Sequence, residues 1–272
     1  MKKKHSHPTA VWQNPVKEML LKGRPAMGVV ISVNNVEVAA QAAALGFDFL
    51  WLEMEHAPLS LETVRNIVLA TRGLPAVPFA RPPVNELWAA KRVLDAGVLG
   101  VIFPFTNTPE LARQAVAACR YPPEGLRGSG ADLARFRWPA PEDYYAFADR
   151  NVLVVAIVEN TAALSHIDEI AATPGIDVLF IGTSDLSFSL GLRGRQSHPR
   201  LEKAIARIVA AAKRNGKVLG RPATTPDQLW RFQKQGFLFF MAGTDIELMA
   251  SGAEQLLKPL RKTRRFRAGA GF

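Results

Sequence analysis

AALGFDFLWLE, residues 43–53, sets a helix-like stretch against a glycine and follows it with a short apolar run that ends in an acid. Glycine tolerates the left-handed conformation that closes a helix, and an apolar run without alternation suits a strand covered on both faces. The same order recurs in LDAGVLGVIFP (94–104), ATPGIDVLFIG (172–182) and QKQGFLFFMAG (233–243), and more weakly in TRGLPAVPFAR (71–81) and RNGKVLGRP (214–222). PAMGVVIS (25–32) and NVLVVAIVE (151–159) bring the predicted strands to eight.

From the second strand to the eighth, the ends near 53, 81, 104, 159, 182, 222 and 243 are spaced by about 32 residues, close to the roughly 31 of a typical eight-unit parallel barrel. The fold class expected is therefore α/β, a closed parallel barrel. Helix starts are expected at Asn85 before Glu86, at Thr108-Pro109-Glu110 and at Thr225-Pro226-Asp227, where capping residues precede proline or acidic first turns. The outsized interval from 104 to 159 holds YPPEGLRGSGADLARFRWPAPEDYYAFADR (121–150), an extended loop after the fourth strand and its helix. Its length and its proline, glycine and aromatic content predict a functional loop or lid.

The formal charge of +10 sits mostly at the ends. Lys2, Lys3 and Lys4 lie at one end and Lys258, Arg261, Lys262, Arg264, Arg265 and Arg267 at the other, with no acid in residues 1–10 or 258–272. A nearly neutral body with basic tails argues against a nucleic-acid surface. The expected layout is a basic tail over 1–13, one barrel domain over 14–257 and a basic tail over 258–272. MKKKHSHPTAVWQ has no apolar core of a secretory signal, and no run approaches the ~20 apolar residues of a membrane helix, so the expected location is cytoplasmic. Cys119 is the single cysteine, which excludes an internal disulfide and a multi-cysteine metal centre.

Polar residues follow the apolar runs in a pattern. Strand two leads into Glu53, Glu55 and His56, strand three into Arg81, strand five into Glu159, strand six into Asp185 and strand seven into Arg221. In a parallel barrel all would stand at the C-terminal face, where barrel enzymes build their sites. Carboxylates from neighbouring strands make a hard oxygen site suited to Mg²⁺ or Mn²⁺. An ion there would ease removal of a proton α to a carbonyl, with Arg81 adding positive charge, His56 moving the proton and either Glu53 or Glu55 orienting its ring.

EMEHAPLS (53–60), ARP (80–82), RYPPEGLRG (120–128), IVEN (157–160) and IGTSDLS (181–187), in this order, resemble the HpcH/HpaI family of metal-dependent pyruvate aldolases, relatives of macrophomate synthase. The resemblance implies a (β/α)8 TIM barrel and a class II aldolase that reversibly cleaves a 4-hydroxy-2-oxo acid to pyruvate and an aldehyde, through a pyruvate enolate on a divalent metal (Mg²⁺ or Mn²⁺, with Co²⁺ a third candidate). It assigns the metal to Glu159 and Asp185 and the acid/base role to His56. Arg81 would contact the pyruvate oxygen, and backbone at the IGTSDLS turn, Gly182 and Ser184, would hold the pyruvate carboxylate. The family more often has Asp at the position of Glu53, which would make this partner of His56 one methylene longer. It also implies a homo-oligomer in contact through the last helix, residues 244–257. Arg221 stands where an apolar residue is usual, and is expected either to read an anionic group on the aldehyde or to pair with Asp227. An enolate lyase of the citrate-lyase type and a non-catalytic, basic-tailed binding protein are the competing readings.

Overall fold

The computed structural model describes residues 12–139 and 143–263. Lys2 to Lys4 and Arg264, Arg265 and Arg267 of the expected tails lie outside the described residues. Strands β1 (Ala26–Ile31), β2 (Phe49–Glu53), β3 (Val77–Arg81), β4 (Gly100–Phe103), β5 (Leu153–Val158), β6 (Val178–Ile181), β7 (Val218–Pro222) and β8 (Phe237–Thr244) pair in parallel, each with the next, and β8 closes on β1. Helix α1 (Pro15–Leu21) precedes β1, and α2 (Val36–Ala44), α3 (Leu61–Ala70), α4 (Leu87–Asp95) and α5 (Pro109–Ala118) follow the first four strands in turn. Two helices, α6 (Asp132–Arg137) and α7 (Tyr144–Asn151), intervene before β5. Then α8 (Thr161–Ser165) and α9 (Ile167–Ala172) follow β5, α10 (Thr183–Ser189) and α11 (Pro199–Arg214) follow β6, α12 (Pro226–Lys234) follows β7, and α13 (Asp245–Thr263) follows β8. The structure is a (β/α)8 TIM barrel.

Thr108 and Thr225 cap α5 and α12 as expected, accepting from the N–H of Leu111 and Gln228. Asn85 does not cap α4; Glu86 occupies that position without a side-chain bond to the backbone N–H groups of the helix, and Asn85 is buried with its amide turned to Thr106 Oγ1 and the Leu111 carbonyl. Helix α13 continues past the expected boundary at 257 and carries Pro259 inside it.

The barrel interior is filled by aromatic rings facing glycines. Phe49 stacks on Phe79 and Phe239, and Trp51 meets Phe180 edge-on one step nearer the mouth. A Cβ on Gly28 would lie 2.1 Å from the Phe49 ring, one on Gly100 2.5 Å from Phe79, and one on Gly220 2.8 Å from Phe180. These glycines are absences of side chain that let large rings close the barrel axis. Gly100→Ala is expected to cost about 1–3 kcal/mol, the range for overpacking a filled core, read as a lower midpoint in urea with unchanged m.

The long excursion between α5 and β5 is not a lid over the mouth. Arg137, buried, donates to the carbonyls of Val68 and Thr71 at the end of α3, and Trp138 Nε1 donates to the Gly97 carbonyl just after α4. Arg127, also buried, pairs with Asp95 at the last residue of α4. Helix ends that lead into strands lie at the N-terminal face of a barrel, so the segment braces the end opposite the active-site face. A connection from helix to strand has to start and finish there.

Candidate active site

Six of the chain's ionisable side chains gather where β2, β3, β5 and β6 release the chain into their following loops: Glu53, Glu55, His56, Arg81, Glu159 and Asp185. Glu53, the last residue of β2, is buried and takes hydrogen bonds on both oxygens. Its Oε2 accepts from Trp51 Nε1 at 3.0 Å and from Arg81 Nε at 2.6 Å, with Arg81 Nη2 also 2.6 Å away. Its Oε1 accepts from the backbone N–H groups of Glu55 and His56 at 2.7 and 3.0 Å. Glu53 therefore ties the loop after β2 to β3. It meets His56 at the backbone and not at the ring, which departs from the expected orienting role.

Glu55 takes the place beside the ring. Its Oε2 stands 3.7 Å from His56 Nε2 and forms an ion pair with Arg81 Nη1 at 3.0 Å, yet this buried oxygen has no hydrogen-bond donor in good alignment. Burial pushes the Glu55 carboxyl up, Arg81 and His56 pull it back, and Glu53 and Asp185 push it further up. The imidazole of His56 is mostly exposed at the mouth, its side chain 62% accessible. Arg81 lies between Glu53 and Glu55 and over the Trp51 ring, 5.4 Å from its centroid.

Glu159 stands one residue past β5. It is 3% exposed, and burial, reinforced by Glu55 and Asp185, pushes its carboxyl up to about 7 against the lowering effects of the Phe105 N–H and Arg81. Two local features fix it. Phe105 adopts φ 48°, a left-handed conformation strained for a residue with a side chain, and donates its backbone N–H to Glu159 Oε1 at 2.6 Å. Gly182 leaves room on the other side, since a Cβ there would lie 2.8 Å from Glu159 Cβ and 3.0 Å from its Oε2. Asp185 and Ser184 stand exposed in the first turn of α10, with Asp185 near enough to raise both Glu55 and Glu159.

Arg221 is placed elsewhere. Gly220 faces the interior rings of Phe180 and Phe239, so its neighbour faces out toward the helix layer. The Arg221 guanidinium lies 3.4 Å from the centroid of Phe232 on α12 and 5.2 Å from that of Phe237. Burial, followed by Arg231, lowers its pKa to about 10. It points neither into the mouth nor to Asp227, and the expectation that it reads the substrate is withdrawn.

Of the two acids that the sequence leaves open as partners of the His56 ring, Glu55 is the one whose side chain stands beside it. The signal was present in EMEH, where a second acid adjoins the histidine. Side-chain saturation of Glu53 by Trp51 and Arg81 decides between the two, and no spacing rule reports it.

Carboxylates, an arginine and a histidine thus collect at the C-terminal face of a parallel barrel, where barrel enzymes build their sites. The chain belongs to the HpcH/HpaI aldolase/citrate lyase family, whose profile matches residues 27–252. It is similar to 5-keto-4-deoxy-D-glucarate aldolase of Escherichia fergusonii, 34% identical over 252 residues that cover 93% of this chain and 98% of the relative. It is also similar to hydroxypyruvate/pyruvate aldolase of Cupriavidus necator, 35% identical over 250 residues that cover 92% and 93% of the two chains. The crystal structure of an HpcH/HpaI aldolase/citrate lyase family protein from Burkholderia cenocepacia superposes with a TM-score of 0.84 at 33% identity, covering 92% of this chain and all of that one. The chain is an aldolase, and thus a carbon–carbon lyase, built on the expected fold. Among the described residues no helix is long and apolar enough to cross a membrane.

Proposed function

We propose that this aldolase cleaves a 4-hydroxy-2-oxo acid reversibly into pyruvate and an aldehyde, with Glu159 and Asp185 holding a divalent cation. The observation that carries the reading is Glu159 itself. A carboxylate buried at 3% exposure and pushed up to about 7 by its surroundings is costly to keep charged, and a bound cation offsets that cost. The donor set of Glu159 and Asp185 fits a hard ion: it is all oxygen and carries excess negative charge. Among the described residues no three His, Cys, Asp or Glu side chains form a ready-made cluster, so two carboxylates would be completed by water or substrate oxygens. Mg²⁺, Mn²⁺ or Co²⁺ bound there would polarise the 2-oxo group of the substrate.

The chain's own groups supply the rest. His56 stands exposed at the mouth and takes or returns the proton that accompanies cleavage. Arg81, held by two carboxylates, keeps further N–H donors on Nη1 and Nη2 for the oxygen that gains charge. Backbone at Gly182 and Ser184, beside Glu159, would seat the pyruvate carboxylate. The relatives' named substrates include an acidic sugar derivative, which makes 4-hydroxy-2-oxo acids with a second carboxylate the first to try. The test is a screen of such acids for pyruvate release after chelation and return of Mg²⁺, Mn²⁺ or Co²⁺. Restored turnover with metal is expected, and full turnover in the chelated protein would rule the reading out.

The same reading includes a homo-oligomer formed through α13. Ile246, Leu248, Met249, Leu256 and Leu257 stay 42–76% exposed along this 19-residue helix. The helix is pinned at its start, where Asp245 accepts from the N–H groups of Ser32 and Val33 and from the Ser32 hydroxyl. A contiguous apolar face of this kind is what a second subunit would cover. Light scattering at micromolar concentration should report an oligomer, and Met249→Lys combined with Leu256→Lys should shift it toward monomer. A wild-type chain that is monomeric under those conditions would dismiss this part of the proposal.

A further inference from the structure

We propose that Glu55 is the positioning carboxylate of the His56 imidazole, and that Glu53 is a saturated brace which takes no part in proton movement. The inference deepens the role given to His56 under the proposed function and rests on it for its kinetic consequence. A carboxylate offers about four lone-pair directions, and Glu53 faces five N–H-bearing groups: Trp51 Nε1, Arg81 Nε and Nη2, and the backbone nitrogens of Glu55 and His56. It has no acceptor site left for an imidazole. Its longer side chain is used on this work, since the same oxygen reaches both the indole of Trp51, an interior ring, and the guanidinium of Arg81 on the next strand.

Glu55 differs in each respect. Its side chain is 8% exposed, its Oε2 has no hydrogen bond, and that oxygen forms ion pairs with Arg81 Nη1 at 3.0 Å and with His56 Nε2 at 3.7 Å. A modest rotation of the exposed imidazole closes the second distance to a hydrogen bond. Holding the proton on Nε2 toward Glu55 leaves Nδ1 as the free base at the mouth. Arg81 opposes the effect of burial on the Glu55 carboxyl, so one guanidinium contacts both acids: it locks Glu53 and holds Glu55 Oε2 beside the ring. The carboxylate beside the ring is thus supplied by the residue adjacent to the histidine and not by the end of the strand.

Two readouts on the full chain test this. In ¹⁵N-histidine NMR at a pH where imidazoles are neutral, with the His56 signal assigned by its loss in His56→Ala, the wild-type ring should be mainly the Nε2–H tautomer. Glu55→Gln should mix the tautomers, while Glu53→Asp, the conservative variant of the brace, should leave them as they are. In turnover, Glu55→Gln should lower kcat about tenfold or more with KM changed less than about twofold, and should add no further loss in a His56→Ala background, the mark of action through the histidine. An unchanged tautomer in Glu55→Gln, or an equal loss of kcat in both backgrounds, would overturn the proposal. If no variant and no wild-type protein releases pyruvate while the tautomer still responds to Glu55→Gln, the functional reading fails and the positioning role stands.

Discussion

Replacing Glu159 by Ala is expected to reduce turnover to the limit of detection at ordinary metal concentrations, because the site has few protein ligands and Glu159 supplies one of two charged ones. Raising Mg²⁺ or Mn²⁺ a hundredfold should recover part of the activity, whereas a purely structural lesion would not respond to metal. The isosteric Glu159→Gln separates the charge from the packing. In the metal-free protein, burial raises this carboxyl to about 7 from its ordinary value near 4.5, so the folded state holds the proton more tightly than the unfolded chain. Folding stability contributed by the neutral acid is therefore present below about 4.5 and is lost as pH rises toward 7, at a cost of ~3 kcal/mol above it. Glu159→Gln removes that loss: metal-free Tm should exceed wild type above pH 7 and match it near pH 4. Added metal should raise the wild-type Tm and leave that of the glutamine variant nearly unchanged. Turnover in Glu159→Ala equal to wild type with chelator present would refute the metal role.

The barrel was legible because each unit carries its own marks. A strand buried on both faces reads as an unbroken apolar run, and Gly46, Gly97, Gly175 and Gly236 precede four of these runs in the left-handed conformation their positions predicted. Those signals are local, and local signals survive in sequence. Which end of the barrel a segment serves is set by its place in the strand–helix alternation. For residues 121–150 the order was available: the segment follows α5 and leads into β5, which assigns it to the N-terminal face, while its composition alone suggested a lid.

Side-chain direction was less legible, for a different physical reason. Along β7 the alternation of faces should have placed Arg221 opposite Gly220, but the five-residue strand gives no apolar alternation to fix the phase, and its pairing with β8 shifts between Leu219 and Gly220. The inward residue is marked only by what it lacks, since Phe180 and Phe239 occupy the space a side chain at 220 would need. The choice between Glu53 and Glu55 is similar. Both acids lie within reach of Arg81, and what separates them is the count of donors already attached to Glu53, three of which come from Trp51 and from Arg81 on the neighbouring strand.

His56→Ala is the substitution whose kinetic effect is least confounded by folding. The imidazole is largely exposed, and Glu55 keeps its ion pair with Arg81 when the ring is gone, so removal opens no cavity and leaves no unpaired charge; a stability change within ~0.5 kcal/mol is expected. If His56 moves the proton, kcat should fall by about 10²–10⁴-fold, the usual contribution of a general acid or base, equivalent to roughly 3–5 kcal/mol of barrier. That is several times any cost to folding, which decides the interpretation: a fall of this size with Tm unchanged cannot come from unfolded protein. KM for the oxo acid should stay within about threefold, because the groups assigned to substrate binding, Arg81 and the turn at Gly182, remain in place. Deuterium exchange of the pyruvate methyl group, followed by proton NMR in heavy water with Mg²⁺ or Mn²⁺ present, isolates the proton step from aldehyde chemistry. It should slow by the same factor as cleavage. Exchange and cleavage at wild-type rates in His56→Ala would make His56 a solvated loop residue and move the proton-transfer role to another group at the mouth.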